Sequence, residues 1–308
     1  MENLFRKFCI TTIVAVYLLI LVGSVVRSTA SGMGCPDWPK CFGQYIPPTD
    51  ISQLPADYKT VFAVAGKEIA DFDAFKTWVE YLNRLLGVLI GFFIFLTFVF
   101  SLLAKNDRKV VYGSFLALLL VGFEGWLGSR VVATNLKPLL ITAHMIVALL
   151  IVLVLIQVFF KTLNKQFAEI SDKYSINKYL LIAFFLSLIQ ILLGTQVREG
   201  VDRMAVLLQE SARETWLEEI GIMFYVHRSF SILVLLVNVL FIRQIFKNNL
   251  SDLKTSAYAL VFFLFIEIAS GVIMAYFAIP AVMQPVHLLL ASLILGVQYW
   301  AILIIKKS

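Results

Sequence analysis

Charged residues are scarce in this chain of 308 residues: Asp, Glu, Lys and Arg make up 15% of it, whereas hydrophobic residues make up 60%. A typical soluble domain carries about 25% charged and 45–50% apolar residues. The apolar residues are gathered in blocks of about 20, a length that crosses a bilayer core of about 30 Å as a helix. The sequence therefore excludes an ordinary soluble domain and predicts an integral membrane protein.

Cysteine and histidine are also rare, with three residues of each type. No Cys-x-x-Cys-His motif is present, which excludes covalent haem attachment of the c type. The net charge of +6 could suggest a nucleic-acid partner, but the basic residues lie between the apolar blocks and do not form one basic surface. Because this placement is typical of topology signals in membrane proteins, no nucleic-acid partner is expected.

The apolar blocks predict an all-α fold of eight transmembrane helices. Alternate connections are rich in Lys and Arg, whereas the outer connection at 199–220 is acidic, so both termini are predicted to be cytoplasmic. The protein is expected in the inner (plasma) membrane, with an amphipathic surface helix over 57–78 in its first outer loop. The predicted helices span residues 9–27, 79–104, 111–133, 138–160, 178–198, 221–246, 256–279 and 283–305.

The two halves of the chain resemble each other. Each half has four spans and starts on the same side, which predicts a parallel repeat of two pseudo-symmetric four-helix bundles. The halves are residues 1–165, with the outer loop 28–78, and residues 166–308. The matched pairs are Gly23 with Gly194, Arg27 with Arg198, Asn83 with His227, Arg84 with Arg228, Glu124 with Glu267, Gly128 with Gly271, and His144 with His287.

Each histidine opens an even-numbered predicted helix near the outer face. Ionisable groups inside a membrane are costly and are usually paired and functional, and facing helices of a bundle can present two imidazoles to one metal. His227 and His287 are therefore predicted to be the axial ligands of one haem iron. The alternative is that these histidines only form hydrogen bonds between helices.

The first half differs because Asn83 replaces a histidine, and asparagine is a poor iron ligand. His144 remains as a predicted metal ligand, and Glu80 lies one turn before Asn83. We predict that Glu80, Asn83 and His144 form a catalytic site with a free coordination position. Arginines at the outer helix ends can pair with haem propionates or extend to lipid headgroups; they are Arg27, Arg84, Arg198 and Arg228.

With these residues, the sequence resembles the haem A synthase family of cytochrome oxidase assembly proteins over essentially its whole length. The most specific element is the Cys-Pro-x-Trp-Pro-x-Cys loop from Cys35 to Cys41, followed by the segment from Glu80 to Arg84. One position departs from the family, whose usual pattern at the start of the second helix is Glu-x-x-His-Arg, because this chain has Asn83 there.

The resemblance implies oxidation of a methyl group of haem O to the formyl group of haem A, near the outer face. It implies haem b as cofactor in the second half, haem O as substrate in the first, haem O synthase as donor, and a link to cytochrome oxidase assembly. The electron donor and homo-oligomerisation stay open. The family's cysteine pair maps onto Cys35 and Cys41, where a disulfide is expected, either structural or active in thiol exchange.

Two other classes of function compete with this enzyme. A bis-histidine membrane cytochrome b could carry electrons, for example from a quinol, without modifying haem. A transporter or assembly scaffold could use the same histidines for hydrogen bonding, although the sequence lacks the paired, Gly- or Pro-interrupted short helices typical of transport sites. Glu80, beside a site with one iron ligand fewer, favours the enzyme.

Overall fold

A computed structural model describes residues 1–170, 173–208 and 211–308. Within these residues, eight helices are long and apolar enough to cross a membrane. This confirms the predicted all-α membrane fold with eight spans. The helices are α1 (Glu2–Ser28), α2 (Ala74–Leu103), α3 (Arg108–Ala133), α4 (Pro138–Lys161), α5 (Lys173–Leu207), α6 (Ile222–Lys247), α7 (Ser251–Tyr276) and α8 (Met283–Lys307).

The chain divides into two compact units, residues 1–162 and 163–308. In the first unit, α1 packs against α2 and α4, while α3 packs against α2 and α4. In the second unit, α5 packs against α6 and α8, while α7 packs against α6 and α8. Each unit therefore contains four helices in a closed ring. The symmetry between the units and the cytoplasmic placement of the termini remain predictions.

Helix α5 extends to Leu207, well beyond the predicted end at residue 198. Arg198 consequently lies inside this helix and not at its end, which corrects the predicted position. The residues after Arg198 look acidic in sequence, but they continue the helix with an apolar face. Val201 on that face packs in a buried cluster with Trp216 and Ile279, and this burial keeps the segment helical.

The first outer loop has a small core of its own, in which Cys35, Cys41, Phe42 and Tyr58 are buried together. The predicted amphipathic helix over 57–78 is wrong, because only Tyr58–Val61 is helical before α2 begins at Ala74. The chain instead reverses between Val64 and Lys67, which form an isolated β-bridge. Ala65 and Gly66, inside this turn, have positive φ angles of 51° and 76°, which a helix does not allow.

Three buried polar side chains connect helices of the second unit. Nε2 of Gln298 on α8 donates to Oγ of Ser187 on α5 at 3.0 Å and to Oδ1 of Asn238 on α6 at 2.9 Å. Hydrogen bonds of this kind stabilise helix packing in a membrane. At the corresponding positions of the repeat, the first unit has buried apolar side chains, which are Val16, Ile94 and Leu155.

Candidate functional site

His227 and His287 face each other in the second unit, near the starts of α6 and α8. Their ring centroids are 6.4 Å apart and their planes are inclined by 71°. An atom midway would lie about 3 Å from each centroid, which is one metal–nitrogen bond of about 2 Å plus about 1 Å from the nitrogen to the ring centre. The two rings are therefore spaced as one iron atom between them requires.

The hydrogen bonds of these rings leave nitrogen atoms for a metal. Nδ1 of His287 forms a hydrogen bond with Oγ of Ser270 at 2.8 Å, which leaves Nε2 of His287 for a ligand. Oε2 of Glu267 lies 3.3 Å from the same Nδ1 but has no hydrogen-bond partner among the described residues. Nδ1 of His227 is buried and has no hydrogen-bond partner among the described residues. Its Nε2 lies 3.5 Å from Nε2 of Gln190, which also donates to the backbone oxygen of His227 at 3.1 Å. Two such imidazoles fit a haem with two axial histidines.

Glycines on the neighbouring helices give the imidazole rings their space. A methyl group placed on Gly194 would lie 3.2 Å from Cε1 of His227, and one on Gly271 would lie 3.4 Å from Cε1 of His287. Both distances are below the optimal carbon–carbon separation of about 3.5–4.0 Å. An added methyl group at Gly194 would therefore require the His227 ring to shift by a few tenths of an ångström, whereas one at Gly271 would just touch the His287 ring.

The arginines predicted to bind haem propionates have different surroundings. Arg27 is partly buried in the last turn of α1, whereas Arg228 is exposed on α6. Arg198 already pairs with Asp202, one turn later on α5, at 2.5 Å. Propionate binding by these side chains remains a prediction.

Glu80 and Arg84 attach the first outer loop to α2. Glu80 is 4% exposed, and its Oε2 accepts the backbone N–H of Cys35 at 2.9 Å while its Oε1 accepts Nε–H of Arg84 at 3.1 Å. Arg84 also donates to the backbone oxygens of Cys35, Asp37 and Lys40 at 2.7, 2.6 and 3.0 Å. One turn of α2 therefore holds the whole segment between the two cysteines.

The expected disulfide between Cys35 and Cys41 is present. The residue before it, Gly34, packs so closely on α2 that a methyl group there would lie 2.4 Å from the backbone oxygen of Lys76. Oγ1 of Thr77 also donates to the backbone oxygen of Gly34 at 2.9 Å. Only glycine allows this close approach of loop and helix.

Asn83 and His144 are the remaining members of the predicted catalytic site in the first unit. Oδ1 of Asn83 is buried without a hydrogen-bond partner among the described residues, and it would lie 3.9 Å from a methyl group on Gly23. Nδ1 of His144 lies 3.1 Å from Oε1 of Glu124 but has no hydrogen-bond partner among the described residues. Cε1 of His144 would lie 3.3 Å from a methyl group on Gly128. Asn83 and His144 thus each have a nearby glycine, as His227 and His287 do.

A comparison with known protein families identifies the family of this chain. A family model described as "Cytochrome oxidase assembly protein" matches residues 6–299, which include all the candidate site residues. The chain belongs to the cytochrome oxidase assembly protein family. This membership confirms the resemblance to the haem A synthases that the sequence predicted.

Several relatives in this family are named heme A synthase. The protein from Rickettsia prowazekii (strain Madrid E) is 25% identical over 337 residues, which cover 100% of this chain and 99% of the relative. The protein from Rickettsia rickettsii (strain Iowa) is 26% identical over 342 residues, which cover 99% of each chain. The protein from Shewanella oneidensis is 25% identical over 212 residues, which cover 68% of this chain and 62% of the relative.

The sequence did not predict Ser270 and Gln190 as site residues. Both contact a predicted haem ligand in the second unit. The internal repeat identified the histidines, glycines and arginines, but the corresponding positions in the first half are Leu127 and Leu19. Because these polar side chains are not repeated, only the structure identifies them.

Proposed function

We propose that this chain is a haem A synthase, which oxidises a methyl group of haem O through hydroxylation to the formyl group of haem A. Membership of the family and the full-length similarity to relatives named heme A synthase support this activity. The observation that carries the haem chemistry is the pair of facing imidazoles of His227 and His287, with centroids 6.4 Å apart.

In this proposal the second unit holds the resident cofactor. His227 and His287 would hold a haem b, and a haem with two imidazole ligands would supply electron transfer. Arg228 follows His227 on α6, and Arg198 lies one turn after Gly194 on α5, where it pairs with Asp202. A guanidinium at these positions can also pair with haem propionates. The close packing of Gly194 against His227 and of Gly271 against His287 would hold the two imidazoles in place as the ligands of this haem.

The first unit would bind the substrate, haem O. His144 is the proposed ligand of the substrate iron, and Asn83 leaves the opposite face without an imidazole. Glu80 is the proposed catalytic carboxylate, since it lies on the same face of α2 as Asn83, three residues away. Its bonds to Cys35 and Arg84 also give it a positioning role for the loop that the disulfide closes.

The proposed location is the plasma membrane, with both termini cytoplasmic and both haem sites near the outer face. The distribution of Lys and Arg supports this orientation. A fluorescent protein that matures only in the cytoplasm, fused after Ser308, should therefore fluoresce, and a dark but intact fusion would contradict the orientation. The proposed functional partners are haem O synthase, as the source of substrate, and cytochrome oxidase, as the user of the product.

The activity is tested by producing the protein together with a haem O synthase and analysing the extracted haems by liquid chromatography. Haem A, or its hydroxylated precursor, is the expected product, and the purified protein should show the reduced spectrum of a low-spin haem b. Haem b without haem A or the precursor would instead indicate an electron-carrying cytochrome b. Protein without any haem would overturn both functions.

A further inference from the structure

One buried and one partly buried carboxylate lie in the middle of predicted spans. The side chains of Glu124 on α3 and Glu267 on α7 are only 12% and 17% exposed. A carboxylate inside a membrane is costly unless it is paired. Among the described residues, the one ionisable side chain close to each carboxylate is a histidine of the following helix, 3.1 Å away for His144 and 3.3 Å away for His287. These are short contacts without hydrogen-bond geometry, since Nδ1 of His144 and Oε2 of Glu267 have no hydrogen-bond partner among the described residues.

The same helix provides the carboxylate and the space for the ring. Gly128 and Gly271 follow the two glutamates by four residues, so that each pair shares one helix face. A methyl group on either glycine would lie 3.3–3.4 Å from Cε1 of the histidine. The carboxylate thus contacts the Nδ1 side of the ring and the glycine contacts its Cε1 side. In both units this arrangement leaves Nε2 as the nitrogen for a metal.

A metal-binding histidine commonly donates its second N–H to a carboxylate, which fixes the tautomer and makes the imidazole a more basic ligand. We propose that Glu124 and Glu267 are positioning residues for the haem sites, which accept the Nδ1–H of His144 and His287, present Nε2 to iron and strengthen its donation. This inference rests on the proposed function. A more strongly donating imidazole stabilises ferric over ferrous iron and therefore lowers the reduction potential of the haem.

The two units differ in how the N–H is shared. Oγ of Ser270 lies 2.8 Å from Nδ1 of His287, closer than the carboxylate of Glu267. The corresponding residue of the first unit is Leu127, which offers no acceptor. In this proposal the carboxylate is the acceptor offered to Nδ1 of His144, whereas Nδ1 of His287 also has the hydroxyl of Ser270.

The test measures the midpoint potential of the bound haem b in the purified full-length protein, together with the electron paramagnetic resonance spectrum of the ferric form. Glu267→Gln should retain haem b, raise the midpoint potential and change the g values, because an amide oxygen is a weaker acceptor than a carboxylate. The matched control is Glu218→Gln, an exposed position of the same unit, which should leave both measurements unchanged. A Glu267→Gln protein with the potential and g values of the parent would overturn the inference.

A second variant covers the case in which Glu267→Gln loses its haem. Ser270→Ala removes the competing hydroxyl and leaves the carboxylate as the acceptor, so the midpoint potential should fall. An unchanged or higher potential in this variant would contradict the positioning role of Glu267. If the parent protein itself contains no haem b, the proposed function fails, which distinguishes that outcome from failure of this inference.

Discussion

The backbone N–H of Cys35 donates to Oε2 of Glu80 at 2.9 Å, which joins the disulfide loop to α2. Arg84, one turn further along the same helix, donates to three backbone oxygens of that loop. Asn83 lies between Glu80 and Arg84 in the sequence. The turn of α2 that holds the disulfide loop is therefore also the turn proposed to face the substrate haem. A change in the position of the loop should consequently alter the proposed substrate site.

The first prediction concerns Glu80→Gln. The amide can still accept the N–H of Cys35, but the ion pair with Arg84 is lost, and a hydrogen bond to a charged group is worth about 1.5–3 kcal/mol. We expect haem A production to fall by more than about tenfold while haem b is retained, as measured by haem extraction. Glu68→Gln, at an exposed position of the outer loop, serves as the control. Undiminished haem A in the Glu80 variant would remove this residue from the mechanism.

The second prediction separates the two haem sites. His227→Ala and His287→Ala should each abolish the low-spin haem b spectrum, because each removes one of the two facing imidazoles proposed as haem ligands. His144→Ala should keep that spectrum and lose haem A production. The measurement is the reduced-minus-oxidised absorbance of the purified variants. Persistence of the low-spin signal in either second-unit variant would refute the ligand assignment.

The third prediction uses the difference between the units. Asn83 is close to Gly23, as His227 is to Gly194, so that Asn83→His would place an imidazole at the corresponding point of the first unit. With haem O supplied, we expect a second low-spin signal in the visible spectrum. Asn83→Ala is the control and should not produce it. A variant that binds haem O in equal amount without this signal would show that position 83 does not reach the iron.

The fourth prediction concerns the disulfide. Glu80 and Arg84 hold the loop independently of the bond between Cys35 and Cys41. The double variant Cys35→Ser with Cys41→Ser should therefore keep most of its haem A production and become more sensitive to limited proteolysis in the loop. Complete loss of haem A in a protein with normal haem b would instead indicate that thiol exchange is part of the reaction.

The fifth prediction concerns helix packing in the second unit. Gln298→Leu would leave Ser187 and Asn238 without the donor that connects them. Hydrogen bonds between membrane helices contribute about 0.6 kcal/mol on average and up to about 1.7 kcal/mol. We expect the free energy of unfolding in mixed detergent micelles to fall by about 1–2 kcal/mol. Unchanged stability would mean that apolar packing suffices here, as it does around Leu155 in the first unit.

The number and type of the helices could be predicted because hydrophobicity and span length are local properties of the sequence. The end of α5 could not be predicted, because the acidic residues after Arg198 have the composition of a loop. The contact of Val201 with Trp216, which keeps these residues helical, depends on the folded chain. The surface helix over 57–78 failed for the converse reason, because the turn at Ala65 and Gly66 reverses a segment whose composition favours a helix.

The candidate site was predictable where the repeat or the residue type marks it. Histidines in apolar spans are conspicuous in any sequence. The hydrogen bond from the backbone N–H of Cys35 to Oε2 of Glu80 was not predictable, because the outer loop and α2 come together only through the fold. The contact of Glu80 with Arg84, by contrast, follows from their spacing of four residues on one helix. Ser270 also gave no signal, since hydroxyl side chains are common on membrane helices and its contact with His287 depends on the packing of α7 against α8.

The glycine contacts of the imidazoles mean that the missing side chain of one helix sets the reach of the ligand on the next. A single added carbon at Gly194, as in Gly194→Ala, would displace the imidazole of His227 without changing any atom proposed to bind iron. The distance between neighbouring helices at these points thus limits where the imidazoles can lie. Substitutions of the glycines could therefore alter one proposed haem site while every histidine is retained.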